Sequence, residues 1–164
     1  MPRPLSDRSA ERVDLPGAVS RDRRALARRE RGPDPADRAA AHANLADALE
    51  RTAIPSAVAE AHRHRLAALV YHLAAGSGEP LHLALAGYAT RYRRAEAVGE
   101  RLAVPRLTEL LDDPTFAPLD DWLRERAADV AEVQTTADFY LEQARRIGLG
   151  EGLGEQADVE TRTG

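Results

Sequence analysis

The chain has 164 residues, enough for one domain with its own core, and 43% of them are hydrophobic while only 4% are aromatic. Ala is the commonest residue. Since Ala and Leu favour helix whereas β-branched and aromatic residues favour strands, this composition indicates an all-α fold. All 23 basic residues are Arg, yet 27 acidic residues bring the net charge to −4, a balance that argues against nucleic acid as the main partner.

The residue types that the chain lacks narrow its chemistry further. Without Cys it can form no disulfide, thiolate nucleophile or Cys-ligated metal site, which fits a reducing compartment. No apolar stretch approaches the roughly 20 residues of a membrane span, and residues 1–31 contain no apolar core of a secretory signal. We therefore expect a cytoplasmic protein with no membrane association. The exclusive use of Arg is attributed to a high-GC bacterial genome.

The N-terminal segment, residues 1–34, is rich in Arg, Asp, Pro and Gly and poor in large apolar residues. Such a stretch buries too little surface to offset its ordering entropy, so we predict a mostly disordered Arg-rich arm. Within it, Ser20 could cap a short, solvated helix over residues 21–31. An arm that grips an acidic partner is the alternative, but the acidic residues interspersed among the Arg residues weaken it.

Residues 35–148 are predicted to form the helical domain, which opens with two well-marked helices. The first is expected over residues 36–51, with Asp34 as the N-cap and Pro35 in the first turn, where its missing N–H costs nothing. The second is expected over residues 56–75. Each places its apolar residues at three- and four-residue steps, so each buries one stripe. The short connection between them predicts antiparallel neighbours.

The remainder of this domain is predicted as three further helical stretches. A third helix is expected over residues 80–98. A fourth is expected over residues 100–111, with Pro105 near its start or kinking it. A long stretch follows over residues 119–146, and residues 134–136 are its weakest point, where it could divide into two helices.

The C-terminal segment, residues 149–164, is Gly-rich and acidic, and we expect it to be a disordered tail. No sustained alternation of apolar and polar residues between turns indicates a strand. The sequence therefore predicts an all-α fold of antiparallel helical hairpins between disordered termini.

A repeat-like pattern lies in the first predicted hairpin. The first helix carries a large–small pair, Leu45-Ala46, and small residues follow where the second helix would touch it, at Ala57, Ala59 and Ala61. This segment resembles a tetratricopeptide (TPR) repeat and is similar to the degenerate repeats at the ends of large actinobacterial TPR proteins.

The resemblance extends over residues 36–111 if a second, divergent unit follows. That unit would have Leu85-Ala86 as its large–small pair and residues 102–111 as its second helix. The chain departs from the family pattern where small, aromatic and Ala residues are usual, namely at Val58, His62 and Arg65. The resemblance implies a scaffold or adaptor that binds other proteins. A small helical bundle that uses Ala at its contacts is the alternative.

No arrangement of reactive side chains in the sequence predicts catalysis. Of the five His residues, His64 and His72 come nearest to sharing a helix face, but they are two turns apart and no acidic residue completes a compact zinc site. We interpret the His residues as surface and helix-packing residues, and we predict no catalytic residue, no cofactor and no metal. An enzyme using His62 or His64 remains an alternative that would need a deep pocket around those rings.

Four Arg residues are the candidate partner-binding residues. Arg91, Arg93 and Arg94 flank Tyr92 on the third predicted helix, and Arg65 lies on the second. We predict a non-enzymatic protein-interaction module whose groove between antiparallel helices receives a peptide or partner helix, with these four residues giving charge selectivity at the rim. The alternative is a small regulatory protein that binds nucleic acid through its Arg-rich surfaces.

Overall fold

The computed structural model describes residues 14–76 and 78–151, and within those ranges every regular element is a helix, which confirms the predicted all-α class. The chain divides after Ala75 into two compact units, unit 1 up to residue 75 and unit 2 from residue 76. None of the described helices is long and apolar enough to cross a membrane. The helices are α1 (Leu15–Arg29), α2 (Pro35–Arg51), α3 (Pro55–Ala75), α4 (Glu79–Ala97), α5 (Leu107–Leu111), α6 (Ala117–Glu125) and α7 (Val130–Leu149), with a 3-10 turn, Pro114–Phe116, before α6.

The cap at the start of α2 and the turn after its end explain where the α2–α3 hairpin of unit 1 begins and reverses. Asp34 accepts a hydrogen bond from the backbone N–H of Ala36 at 2.9 Å, and α2 begins at Pro35 as the capping pattern indicates. After α2, Ala53 turns the chain with a φ of 57°, a left-handed conformation that costs an L-residue about 1–2 kcal/mol. Both predicted ranges are correct to within one residue.

Small side chains hold this hairpin together. Leu45, Ala46 and Ala61 are almost fully buried and belong to one apolar cluster. Ala at these contacts lets two helix axes approach to the short end of the usual range, about 8 Å. Hydrogen bonds between the helices join residue 38 to residue 71 and residue 50 to residue 65, so the partner's number falls as the chain advances along α2. The two helices are therefore antiparallel.

The helix α1 corrects the prediction for the N-terminal arm. It spans Leu15–Arg29 instead of residues 21–31, and Ser20 lies in its interior rather than at its cap. Leu26 is buried in the hairpin's apolar cluster, with Val19 packed against it. Residues 19 and 26 are seven apart and so share a face of the helix, which was enough to dock a segment whose overall composition is polar. Residues 1–13 lie outside the described part of the chain.

Unit 2 is organised by α4 and α7, which pack along each other. Gly148 of α7 lies so close to α4 that a Cβ built there would overlap the carbonyl group of Ala89. Gly150 ends α7 in a left-handed conformation, with φ of 74°, and its N–H is bonded to the last turn. The tail was predicted over residues 149–164, but Leu149 is still the last residue of α7. The described residues end at Glu151, and the rest of the predicted tail lies outside them.

The fourth predicted helix is wrong for most of its length. Residues 100–106 are not helical, and α5 contains only Leu107–Leu111. Gly99 leaves α4 with a φ of 70°, and Pro105 disfavours the α conformation in the residue before it. The backbone N–H of Leu107 instead donates to Oε1 of Gln134 at 2.7 Å, so the start of α5 is held by α7.

The long predicted stretch over residues 119–146 is two helices, and the break lies earlier than residues 134–136. It falls between α6 and α7, where Ala127 has a φ of 50° and Asp129 caps α7 by accepting from the N–H groups of Ala131 and Glu132. The Thr hydroxyls at 135 and 136 each donate to the carbonyl four residues earlier, which lets both sit inside α7.

The range predicted as one helical domain, residues 35–148, thus spans both units, and α1 belongs to the first of them. The helix expected to complete a second hairpin with α4 is too short to do so, and α4 pairs with α7.

Candidate functional site

Two histidines face each other inside the α2–α3 hairpin. Nδ1 of His42 lies 2.9 Å from Nδ1 of His64, and their ring centroids are 5.1 Å apart. Both side chains are essentially inaccessible, with exposures of 1% and 0%. Their positions follow from the antiparallel register, which sets residue 42 of one helix opposite residue 64 of the other. The interpretation of these histidines as helix-packing residues fits their burial, but the sequence did not reveal that they pair.

Each imidazole also meets a carboxylate on its other side. Nε2 of His64 lies 3.2 Å from Oε2 of Glu60, one helical turn earlier, and Glu60 in turn receives two hydrogen bonds from Arg23 of α1, one of them 2.8 Å long. Nε2 of His42 lies 3.5 Å from Oε1 of Glu30, the residue that follows α1. The four side chains form a row, Glu30, His42, His64 and Glu60, which we call the His–Glu row.

The ionisation of the His–Glu row is set by burial and by Arg23. Burial, with a smaller contribution from His64 and Arg38, lowers the pKa of His42 well below its ordinary value of 6.5. Burial lowers the pKa of His64 as well, although Glu60 opposes this shift. The hydrogen bonds from Arg23 lower the pKa of Glu60, whereas burial raises that of Glu30 to about 7 against the opposing effect of Arg38.

A further group of polar side chains lies beside the His–Glu row. Arg38 donates from Nε to the carbonyl oxygen of Gly32 at 2.9 Å and from Nη1 to the hydroxyl of Tyr71 at 3.3 Å. The ring of Tyr71 stacks on that of His42, with centroids 5.6 Å apart. These contacts tie the loop after α1 to both helices of the hairpin, so the buried polar groups fasten three elements together.

The geometry of the His–Glu row does not resemble an open catalytic or metal site. A substrate cannot reach rings with 0–1% exposure, and Nδ1 atoms 2.9 Å apart leave no space for an ion between them. Among the residues that the structure describes, no three His, Asp or Glu side chains are placed to hold a metal ion. His72 is buried elsewhere on α3, and His62 is half-buried.

Of the four candidate partner-binding residues, Arg65 lies in unit 1. Its guanidinium donates to Glu50 at 3.1 Å and to Asp47 at 2.9 Å, and its side chain is 10% exposed. Asp47 and Glu50, together with Arg51, line a shallow depression in the surface. Arg65 therefore contributes to the structure of the hairpin, and its role in binding a partner stays a prediction.

The other three candidates lie on α4 in unit 2. Nη1 of Arg91 donates to the carbonyl oxygen of Gly87 at 2.9 Å, and Nε of Arg93 donates to that of Gly148 at 3.3 Å. Arg94 is exposed in the last turn of α4. All three are thus positioned on one helix, and the positive charge of Arg93 lies where α7 ends.

An apolar surface on α7 was not identified from the sequence. Phe139 and Ile147 are each 59% exposed, although both are large apolar side chains. The buried side of α7 is formed by Ala137, Leu141 and Ala144. At 100° per residue, position 139 lies about 170° from the centre of this buried side, whereas position 147 lies only about 90° from it. The spacing alone could have shown that Phe139 does not belong to the buried stripe, but not that Ile147 is exposed.

Two further apolar side chains of unit 2 are also exposed, Leu83 at 65% and Val98 at 69%, on or just after α4.

No protein-family model matches the chain, and no curated protein or solved structure is found to be similar to it. A function for this chain therefore has to be argued from its own residues.

Proposed function

We propose that the chain is a non-enzymatic helical protein-interaction module, a TPR-like scaffold or adaptor that acts in the cytoplasm. The observation that carries this proposal is the exposed apolar surface of α7, formed by Phe139 and Ile147. Its partner is a protein or peptide that offers apolar side chains to these two residues. The α2–α3 hairpin, with Leu45-Ala46 against Ala61, supports the TPR-like part of the proposal.

The energetic case rests on the size of the two exposed side chains. Single exposed apolar residues are normal on protein surfaces. Here two large ones are exposed on one helix, about 80° apart around it and about 12 Å apart along its axis. Moving such a side chain from water into an apolar environment contributes about 1.5–3 kcal/mol. Two anchors that are each 59% exposed therefore contribute about 2–4 kcal/mol, and the rest of the roughly 8 kcal/mol of a micromolar complex has to come from contacts around them.

Charge on the same unit gives the surface its selectivity. Arg91, Arg93 and Arg94 place positive charge on α4, and Arg146 is exposed next to Ile147 on α7. Opposite charge on a partner increases the association rate and selects against basic partners, while contributing less to affinity than the apolar anchors. The proposal therefore favours a partner segment that is apolar on one face and acidic at its edges.

The test is a partner isolated by cross-linking and then measured as a purified protein. A photo-cross-linker at position 139 captures the partner, whose Kd is measured for the wild type and for the variants Phe139→Asp and Ile147→Asp. Ile54→Asp is the matched control, because Ile54 is 55% exposed and lies in unit 1. We expect each α7 variant to weaken binding at least tenfold, about 1.4 kcal/mol, and the control to leave it unchanged. Equal affinity in all four proteins would refute the proposal.

Binding of nucleic acid gains no support from the described geometry. Several Arg side chains are held by carboxylates of the same chain, such as Arg106 by Asp138 at 3.0 Å and Arg145 by Glu142 at 2.8 Å. Retention on DNA or RNA that falls steeply with salt would favour this alternative over the interaction module.

A further inference from the structure

The two carboxyl groups of the His–Glu row are held in different ways. Glu60 receives two hydrogen bonds from Arg23, whereas Oε1 of Glu30 lies 3.5 Å from Nε2 of His42, which is too long for a hydrogen bond. A negative charge on Glu30 would therefore lie in a buried place beside an imidazole nitrogen that does not stabilise it by a hydrogen bond.

The direction of the hydrogen bonds shows which atom of His42 faces Glu30. Glu60 is held in its ionised form by two hydrogen bonds from Arg23, so Nε2 of His64 donates to it. Nδ1 of a neutral His64 then accepts, and the proton at the 2.9 Å contact belongs to Nδ1 of His42. That leaves a lone pair on Nε2 of His42 facing Glu30. A protonated carboxyl of Glu30 is repelled less by this lone pair than an ionised one.

The position of Glu30 in the fold favours its neutral form for a second reason. It is the residue that ends α1, where the negative end of the helix dipole disfavours an anion. Its side chain is only 9% exposed, and an ionised carboxylate 3.5 Å from the lone pair of His42 would be repelled by it. Its neutral carboxyl avoids this repulsion, so the end of α1 can pack against α2 without a buried negative charge.

We infer that unit 1 contains a buried pH-sensitive device, in which the proton held by Glu30 against His42 keeps α1 docked on the α2–α3 hairpin and its release weakens that docking. No metal, ligand or partner is required. The device is independent of the proposed binding surface on α7, so either can fail without the other.

The charged and titratable groups around this pair come from all three helices of unit 1. Arg38 of α2 opposes protonation of Glu30, and it also disfavours a positive charge on His42. Positive charge from Arg23 of α1 and from Arg63 of α3 disfavours protonation of His64. The remaining facing groups are Glu60, His64 and the hydroxyl of Tyr71. Nearby Arg charge thus adds to burial in disfavouring a positive charge on either ring, whereas at Glu30 burial outweighs the opposing effect of Arg38.

The pH range follows from the difference between the folded and unfolded forms. Burial raises the pKa of Glu30 from 4.5 to about 7 in the folded chain. Between these two values the folded form holds a proton that the unfolded form has lost, so this group's contribution to stability falls as the pH rises and becomes constant above about 7. From pH 6 to pH 8 the change in the docking equilibrium is about tenfold.

The test compares the same substitution at the two ends of the His–Glu row in the full-length chain. Glu30→Gln replaces the carboxyl with an amide of the same shape that stays neutral at any pH. Glu60→Gln removes the charge that holds Arg23 and His64. Hydrogen exchange of the α1 amides, corrected for intrinsic rates, reports the docking of α1 directly.

We expect the protection of α1 in Glu30→Gln, relative to the wild type, to increase about tenfold from pH 6 to pH 8. Glu60→Gln should lower this protection at both pH values, because it breaks the ion pair with Arg23. The inference would be overturned if the ratio of α1 amide protection in Glu30→Gln to that in the wild type did not change with pH. A loss of α1 protection at pH 8 in Glu30→Gln that matches the loss in Glu60→Gln would also overturn it.

Discussion

The closest helix contact in unit 2 offers a sharp test of how α4 and α7 pack. A Cβ added at Gly148 would lie 3.1 Å from the carbonyl carbon of Ala89 and closer still to its oxygen, so the obstacle is backbone and cannot rotate away. Relieving it requires the two helices to separate along their contact. Overpacking of this kind costs about 1–3 kcal/mol, while the better helix propensity of Ala returns at most about 1 kcal/mol. We expect Gly148→Ala to destabilise unit 2 by about 1–2 kcal/mol.

Gly87 provides the matched control in the neighbouring helix. A Cβ added there would meet only Nη1 of Arg91, at 3.1 Å, which is the end of a flexible side chain. Gly87→Ala should therefore keep most of the gain in helix propensity and stabilise unit 2 by about 0.5–1 kcal/mol. Urea unfolding followed by the fluorescence of Trp122, which is buried in α6 of the same unit, measures both variants. If both lowered stability equally, or if Gly148→Ala raised it, the close approach would be refuted.

Three other substitutions or conditions test separate parts of the fold. Asp129→Ala removes the cap of α7 and should cost about 1 kcal/mol in urea unfolding of unit 2; no change would mean that the cap is not formed in solution. Arg65→Ala removes the guanidinium that Asp47 and Glu50 share and should lower the thermal midpoint of unit 1. Arg65→Lys should restore the midpoint only in part, because an ammonium does not hold two carboxylates in the fixed geometry of a guanidinium. Because the pKa values of His42 and His64 are lowered in the folded chain, the unfolded chain takes up more protons below pH 6.5. In Glu30→Gln, which lacks the opposite contribution of the raised Glu30 pKa, the protection of α2 amides, corrected for intrinsic exchange rates, should therefore fall as the pH drops below that value, and unchanged protection at pH 5 would contradict the burial of these rings.

The elements that the sequence predicted well are those whose signals are local. Asp34 and Pro35 mark the start of α2, and the capping and helix-stop residues act on their own backbone neighbours, so the ranges of α2 and α3 were accurate to one residue. The missed elements depend on contacts from elsewhere in the chain. The helix α1 is stabilised by burial of Leu26 against the hairpin, which composition does not report. The non-helical segment before α5 is fixed by Gln134, far along the chain.

The buried His–Glu row shows the same division between local and non-local information. Its i, i+4 contact between Glu60 and His64 is visible in the sequence as a spacing on one helix. The contact between His42 and His64 requires the register of the hairpin, and the contact of Glu30 with His42 requires the docking of α1. Since neither can be read from periodicity, the histidines could be predicted to pack between helices but not to form a row.

The most direct test of the account is a long-range ¹H–¹⁵N spectrum of the imidazole nitrogens at pH 6. The account predicts two neutral rings in opposite tautomers, with the proton of His42 on Nδ1 and that of His64 on Nε2. Both rings should keep these tautomers in Glu30→Gln at pH 8. Two protonated nitrogens on either ring, or rings that titrate with the pKa of an exposed histidine, would contradict it.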